Sequence, residues 1–294
     1  MPASAIFQAL LVQTIWGFNI IVAKAGVEAM PPLFFTTVRF ALVAALVVPF
    51  FSIPRGAMKH LLLLSFTFGT VHFGLLFTGL TGMDAAGAAI LIQLGAPFTV
   101  VLGVFLFKEK LGPRRILGTL LAFGGVVLLA GEPGRAELWP VILMTLAALG
   151  WALSNVVVKR MPDLNPLLMT GWLSLMAVPQ VGLMSLVLED GQIPALISAD
   201  WRGWGAIVYT AAGASIIAHS LWYGLVRRHE MGQVAPFGLL APVIGIVAAV
   251  LVLGEPLTWQ KLVGGGLTMV GVAIIQLRWA RLRKRPPTEA GSPT

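Results

Sequence analysis

The chain has 294 residues, no cysteine, 57% hydrophobic residues and only 11% charged ones. Soluble domains carry about 25% charged residues, so an ordinary soluble domain, a disordered chain and a disulfide scaffold are all excluded. The net charge of +8 clusters at the ends of apolar runs, which gives it a topological meaning and removes nucleic acid as a partner.

A helix needs about 20 apolar residues to cross the hydrocarbon core of a bilayer. Read between charge, proline and glycine punctuation, the apolar runs predict ten spans, at about 5–25, 32–51, 61–81, 85–107, 114–131, 137–158, 166–188, 203–226, 232–253 and 261–278. Stretches such as LLLLSFTFG and GVVLLAG are apolar on every side, so they are helices and not the alternating strands of a membrane barrel. The first run lacks a basic start, and Gln8, Gln13 and Asn19 interrupt it, which makes it a retained helix and not a signal peptide. The fold class is therefore an all-α integral membrane protein.

With the N-terminus in the cytoplasm, fifteen lysines and arginines fall at inner connections: Arg55, Lys59, Lys108, Lys110, Arg114, Arg115, Lys159, Arg160, Arg227, Arg228, Arg278, Arg281, Arg283, Lys284 and Arg285. Only Lys24, Arg135, Arg202 and Lys261 fall outside, and Arg39 lies within a span. Positive residues mark the cytoplasmic side, so both termini are expected there. The tail after Trp279 is read as a stop-transfer anchor, with contact to anionic lipid as the alternative.

The halves repeat each other. Trp16 and Lys24 match Trp151 and Lys159 at the same spacing, and Pro31 and Pro166 follow each Trp at the same distance. Pro97 matches Pro242, Glu109 matches Glu255 with one residue inserted, and Gly118 and Gly125 match Gly264 and Gly271. Residues 1–131 and 132–278 are thus two five-helix units, followed by a basic cytoplasmic tail at 279–294. Five is odd, so the second unit starts on the opposite side and the units are inverted repeats, a common basis of alternating access in transporters.

These residues resemble the drug/metabolite transporter superfamily, in particular its EamA-type members with ten helices in two repeats. The resemblance covers 5–278 and is carried by Trp16, Gly17, Asn19 and Lys24, by Pro32, Arg39 and Phe40, and by the proline, glutamate and glycine pattern that ends each half. It implies export or exchange of small metabolites across a bacterial inner membrane, and it is nearest to amino-acid exporters of the EamA and YddG kind. The small four-helix drug exporters of the superfamily carry an intramembrane glutamate in their first helix, and the predicted first span here, 5–25, has none.

Polar groups inside spans are costly unless they face the bundle interior or a watery cavity, so each is a candidate site residue. Trp16 shares a helix face with Asn19, and Trp151 shares one with Ser154 and Asn155. An indole wall beside amides suits a zwitterion with an apolar side chain; packing residues with interhelical amide bonds are the alternative. His72, His219, Trp222 and Tyr223 are read as substrate contacts, with satisfied packing as the alternative. Gln93 lies four residues before Pro97, and Gly238 four before Pro242, so both proline helices are broken at matching points, as binding sites and gates often are. Arg39 can meet a substrate carboxylate, or snorkel or cap a neighbouring helix. Glu109 and Glu255 are expected to pair locally with Lys108, Lys110 or Lys261, or to cap the following helix, outside the site.

The predicted function is a carrier that exports small neutral metabolites, amino acids above all, by alternating access around a central cavity. The alternative is a drug or nucleoside-like metabolite exporter with a broad aromatic cavity. No nucleophile with a base and no metal-ligand set is present in the sequence, so no enzyme, metal or cofactor is expected. The expected partners are a small-molecule substrate and the lipid bilayer, in a monomer or weak homodimer.

Overall fold

The computed structural model describes residues 1–108, 110, 112–131, 137–229 and 231–276, without the side chains of Tyr223, Val226, Arg227, Met231 and Ala235. The expectations for Glu109, for the Tyr223 side chain and for the tail 279–294 lie outside the described residues. All regular structure among the described residues is helical. Among the described residues nine helices are long and apolar enough to cross a membrane: α1 Ala3–Ala29, α2 Pro32–Phe50, α3 Arg55–Thr81, α4 Ala85–Phe107, α5 Pro113–Ala130, α6 Trp139–Arg160, α7 Pro166–Leu188, α8 Trp201–Trp222 and α9 Pro236–Leu253. A further helix, α10, covers Trp259–Gln276. A short helix at Gln192–Ser198 occupies what the apolar runs leave as a connection.

Local chemistry sets the ends. Proline needs no N–H partner in a first helical turn, and Pro32, Pro113, Pro140 and Pro166 occupy such positions. Asp84, Asn165 and Asp200 cap α4, α7 and α8 by accepting from Gly87 N at 2.6 Å, Leu167 N at 2.9 Å and Arg202 N at 2.9 Å. Both α4 and α9 stop at a left-handed residue, Lys108 with φ 54° and Gly254 with φ 68°. Trp139, Trp201, Trp204 and Trp259, at the starts of α6, α8 and α10, are all exposed.

Apart from 3-10 turns at the end of α2 and the start of α3, four stretches depart from α geometry, at matching places in the two halves. Ser65–Gly74 in α3 and Tyr209–Ile217 in α8 are wound as π-helix. Ile92–Leu94 in α4 and Ala235–Leu239 in α9 tighten into 3-10 turns just ahead of Pro97 and Pro242. The proline rings displace the carbonyl four residues back, which makes the break local and explains its place.

The principal packing joins one half to the other. Helix α1 lies on α8 and α9, α6 on α3 and α4, α2 on α7, and α5 on α10. The last pair is the tightest: a Cβ on Gly118 would stand 2.7 Å from Gly271 O, and one on Gly264 would stand 2.6 Å from Gly125 O. The glycines of α5 and α10 thus meet each other within one chain. The small-residue run Ala85–Ala89 packs on α9 through Ala249 and Gly245.

One face of the bundle is laced by charge-assisted hydrogen bonds. Lys24 Nζ donates to Leu80 O at 2.9 Å and Met83 O at 3.0 Å. Glu189 accepts from Leu33 N at 2.7 Å and Phe34 N at 2.9 Å, and Glu255 accepts from Ala85 N at 2.7 Å and Ala86 N at 2.9 Å. Glu255 therefore caps α4, far away in sequence, and neither pairs with Lys261 nor caps the helix that follows it. Two orphan N–H groups and the positive end of a helix hold a carboxylate better than one lysine does. Lys261 lies 3.4 Å from Asp84 and donates to Pro256 O at 2.9 Å. On the opposite face Lys159 and Arg160 lie over the Phe107 ring, at 4.0 and 5.0 Å.

Candidate functional site

A cleft lies among α2, α3, α6, α7 and α8, drawing its walls from both halves of the chain. Its residues on α6 and α7 run up to Val158 and Met169, beside the helix ends at Arg160 and Pro166, so it reaches toward the face opposite the laced one.

One wall is aromatic. Trp151, 38% exposed, lines the cleft with Phe68 at 5.4 Å between ring centroids, and His72 lies 5.2 Å from the same indole. His72 itself is buried behind this wall, stacked on Phe68 at 5.3 Å, with Nδ1 2.9 Å from Ala147 O. The other half repeats the arrangement: Trp16 meets His219 edge to face at 5.2 Å, donates Nε1–H to Ala214 O at 3.1 Å and packs on Trp222 at 5.5 Å. Each repeated tryptophan thus meets the histidine of the opposite half. The π stretches of α3 and α8 carry or adjoin those histidines, as π turns often do at functional places.

The polar wall is built from hydroxyls and one cation. Ser154 donates to Trp151 O at 2.6 Å, Thr170 to Pro166 O at 2.9 Å and Ser174 to Thr170 O at 2.7 Å, all within their own helices. Asn155 donates to Thr99 Oγ1 at 3.3 Å and separates the cleft from a second crevice beside α4. Arg39 is only 2% exposed and lines the cleft from α2. Its Nε donates to Thr210 O at 3.3 Å and Nη2 to Ser215 Oγ at 2.8 Å, and the guanidinium lies 4.0 Å over the Phe73 ring. It neither snorkels nor caps a helix end.

Of the residues singled out from sequence, Arg39, Trp151, Ser154, Asn155 and His219 line this cleft. Trp16, His72 and Trp222 form the ring contacts behind or beside it. Asn19 has its Oδ1 buried without a partner, and Gln93 is half-buried in the 3-10 turn of α4. Phe68, Thr170, Ser174 and Ser215 escape a reading of the sequence, because a helical hydroxyl that bonds its own backbone looks like filler. The spacing of four between Thr170 and Ser174 is the signal that could have found two of them. Among the described residues no group of three or more His, Cys, Asp or Glu could hold a metal ion.

The EamA-like transporter family model matches residues 3–131 and again 138–277. A protein of Salmonella typhimurium named "Probable amino-acid metabolite efflux pump" is 35% identical over 278 residues, covering 91% of this chain and 93% of its own. The Escherichia coli protein of the same name is 33% identical over 288 residues, covering 94% and 96%. A solved structure described only as "Crystal structure of protein" shares the fold, with a TM-score of 0.61 at 20% identity over 94% of this chain and 98% of that one.

Proposed function

The chain belongs to the EamA-like transporter family, a transporter family and not an enzyme family, and we propose that it exports small neutral metabolites, amino acids above all, across a bacterial inner membrane. The observation that carries this reading is the cleft, walled by both halves, with an indole on one side and hydroxyls on the other. An apolar side chain fits the aromatic wall, and the polar groups of an amino acid fit the hydroxyls, amide and guanidinium. The names of the Salmonella and Escherichia coli relatives support the same substrate class.

In this reading ten spans form two inverted repeats with both termini in the cytoplasm, and the cleft is open to the cytoplasm. The laced face is then the outer gate in its closed form. Rocking of one half against the other, with breaks at Pro97, Gly238 and Pro242 as hinges or gates, would expose the cleft alternately. Trp16, Asn19, His72, Gln93, Trp151, Ser154, Asn155, His219, Trp222 and Tyr223 are proposed to bind substrate, directly or through the cleft wall.

Counterflow in proteoliposomes tests it. Labelled neutral amino acids are expected to enter saturably and faster when the unlabelled compound is trapped inside, with little response to a pH gradient. Flux of nucleosides or drugs in place of amino acids would transfer the cleft to the broader aromatic reading.

A further inference from the structure

We propose that the cleft demands a carboxylate, through Arg39, but reads the substituent beside it without regard to charge, so that its substrates extend to 2-hydroxy and N-acyl acids. This rests on the reading that the cleft holds the substrate. A buried guanidinium in a membrane protein persists where it is paired or fully hydrogen-bonded. Arg39 is neither: Thr210 O and Ser215 Oγ take the Nε and Nη2 edge of the fork, while Nη1 is buried with no partner. Among the described residues no carboxylate comes within ion-pairing distance of it. The opposite edge, formed by Nη1 and the second N–H of Nη2, has the geometry that accepts both oxygens of a carboxylate.

The π stretch of α8 supplies both anchors. Ser215 donates its own proton to Thr210 O at 2.9 Å and accepts from Arg39, so this wide turn fixes the fork in place. Phe73 beneath the guanidinium holds its plane. Arg39 is therefore held in place at the cleft wall with Nη1 left unpartnered.

The hydroxyls that line the cleft on α6 and α7 offer a different chemistry. Ser154, Thr170 and Ser174 each give their proton to a carbonyl of their own helix, so what they have left to offer is lone pairs. Such neutral acceptors take an ammonium, a hydroxyl or an amide N–H alike. Among the described residues no Asp or Glu lines the cleft to select a positive charge. A ligand with one negative charge neutralises the guanidinium, whereas a zwitterion leaves one positive charge buried.

Binding to the purified full chain, measured by calorimetry, separates the possibilities with leucine, 2-hydroxy-4-methylpentanoate, N-acetylleucine, leucinamide and benzoate. The hydroxy acid is expected to bind at least as tightly as leucine, and leucinamide about 30-fold or more weakly, the scale on which a buried charge misses its partner. Arg39→Gln should remove the preference for acids, Arg39→Lys should keep part of it, and Ser215→Ala should weaken the acids several-fold. Leucinamide binding as well as leucine would overturn the proposal, as would an Arg39→Gln variant, folded by its melting curve, that keeps the preference. Failure of every carboxylate to bind overturns it too. If Arg39→Gln does not fold, Arg39→Lys and Ser215→Ala decide. Carboxylates that bind without any amino-acid counterflow leave this inference standing and remove amino acids as the cargo; counterflow indifferent to Arg39 does the reverse.

Discussion

Trp151 owes its position in the cleft to a missing atom. A Cβ on Gly95 would stand 2.8 Å from Trp151 Cδ1, too close for both to stay. The indole is the mobile partner, since it borders open space, so Gly95→Ala is expected to swing it into the cleft. Transport in counterflow should then fall by about tenfold, a barrier of about 1.4 kcal/mol, while the melting temperature moves little. Trp151→Ala should also fold and should lose transport by removing the wall itself. Normal transport by both variants would take the aromatic wall out of the mechanism. At this scale the sequence shows which residues are unusual but not whom they meet. Trp16 and Trp151 stand out by their recurrence, yet their histidine partners come from the opposite half, and no local spacing encodes a contact across 198 residues such as Trp16 to Ala214. Thr170 and Ser174 stay hidden for the opposite reason, because their hydrogen bonds are entirely local.

The helices themselves were legible because a bilayer imposes length and apolarity on each span, and among the described residues nine of the ten expected places hold a helix long and apolar enough to cross a membrane. The π stretches at Ser65–Gly74 and Tyr209–Ile217 were not, since their residues would serve equally well in an α-helix and tertiary packing chooses the winding. The glycine pattern of α5 and α10 gave close approach but not the partner. In lipid such a contact depends on packing, not on hydrophobic burial. At Gly264 the obstacle to a side chain is the backbone carbonyl of Gly125, which cannot rotate away. Gly264→Leu is therefore expected to force the helices apart and to destabilise the fold by about 1–3 kcal/mol, seen as a lower melting temperature in detergent. Neither helix lines the cleft, so transport per folded molecule should survive. Loss of transport at unchanged stability would mean that this seam moves during the cycle.

Taken as one body, the molecule is asymmetric in a way that its repeated sequence is not. Lys24, Glu189, Glu255 and Lys261 lace one face, while the cleft approaches the other. A two-state carrier must be able to undo that lacing, and hydrogen bonds to charged groups contribute about 1.5–3 kcal/mol each. The two carboxylates cap α2 and α4, so Glu189→Gln and Glu255→Gln keep the shape of each latch and remove its charge. The double variant is then expected to shift the population toward the form open at the laced face by about tenfold or more. The absence of native cysteine makes this readable with a single thiol. Thr170→Cys, at a half-buried position in the cleft, should react with an impermeant maleimide from the side of the chain's N-terminus in the parent protein. In the double variant reactivity from the opposite side should rise while the first falls, because one thiol cannot face both. A rise on the far side with no fall on the near side would indicate a leak and not a rocking carrier, and an unchanged ratio would show that the carboxylates only cap their helices.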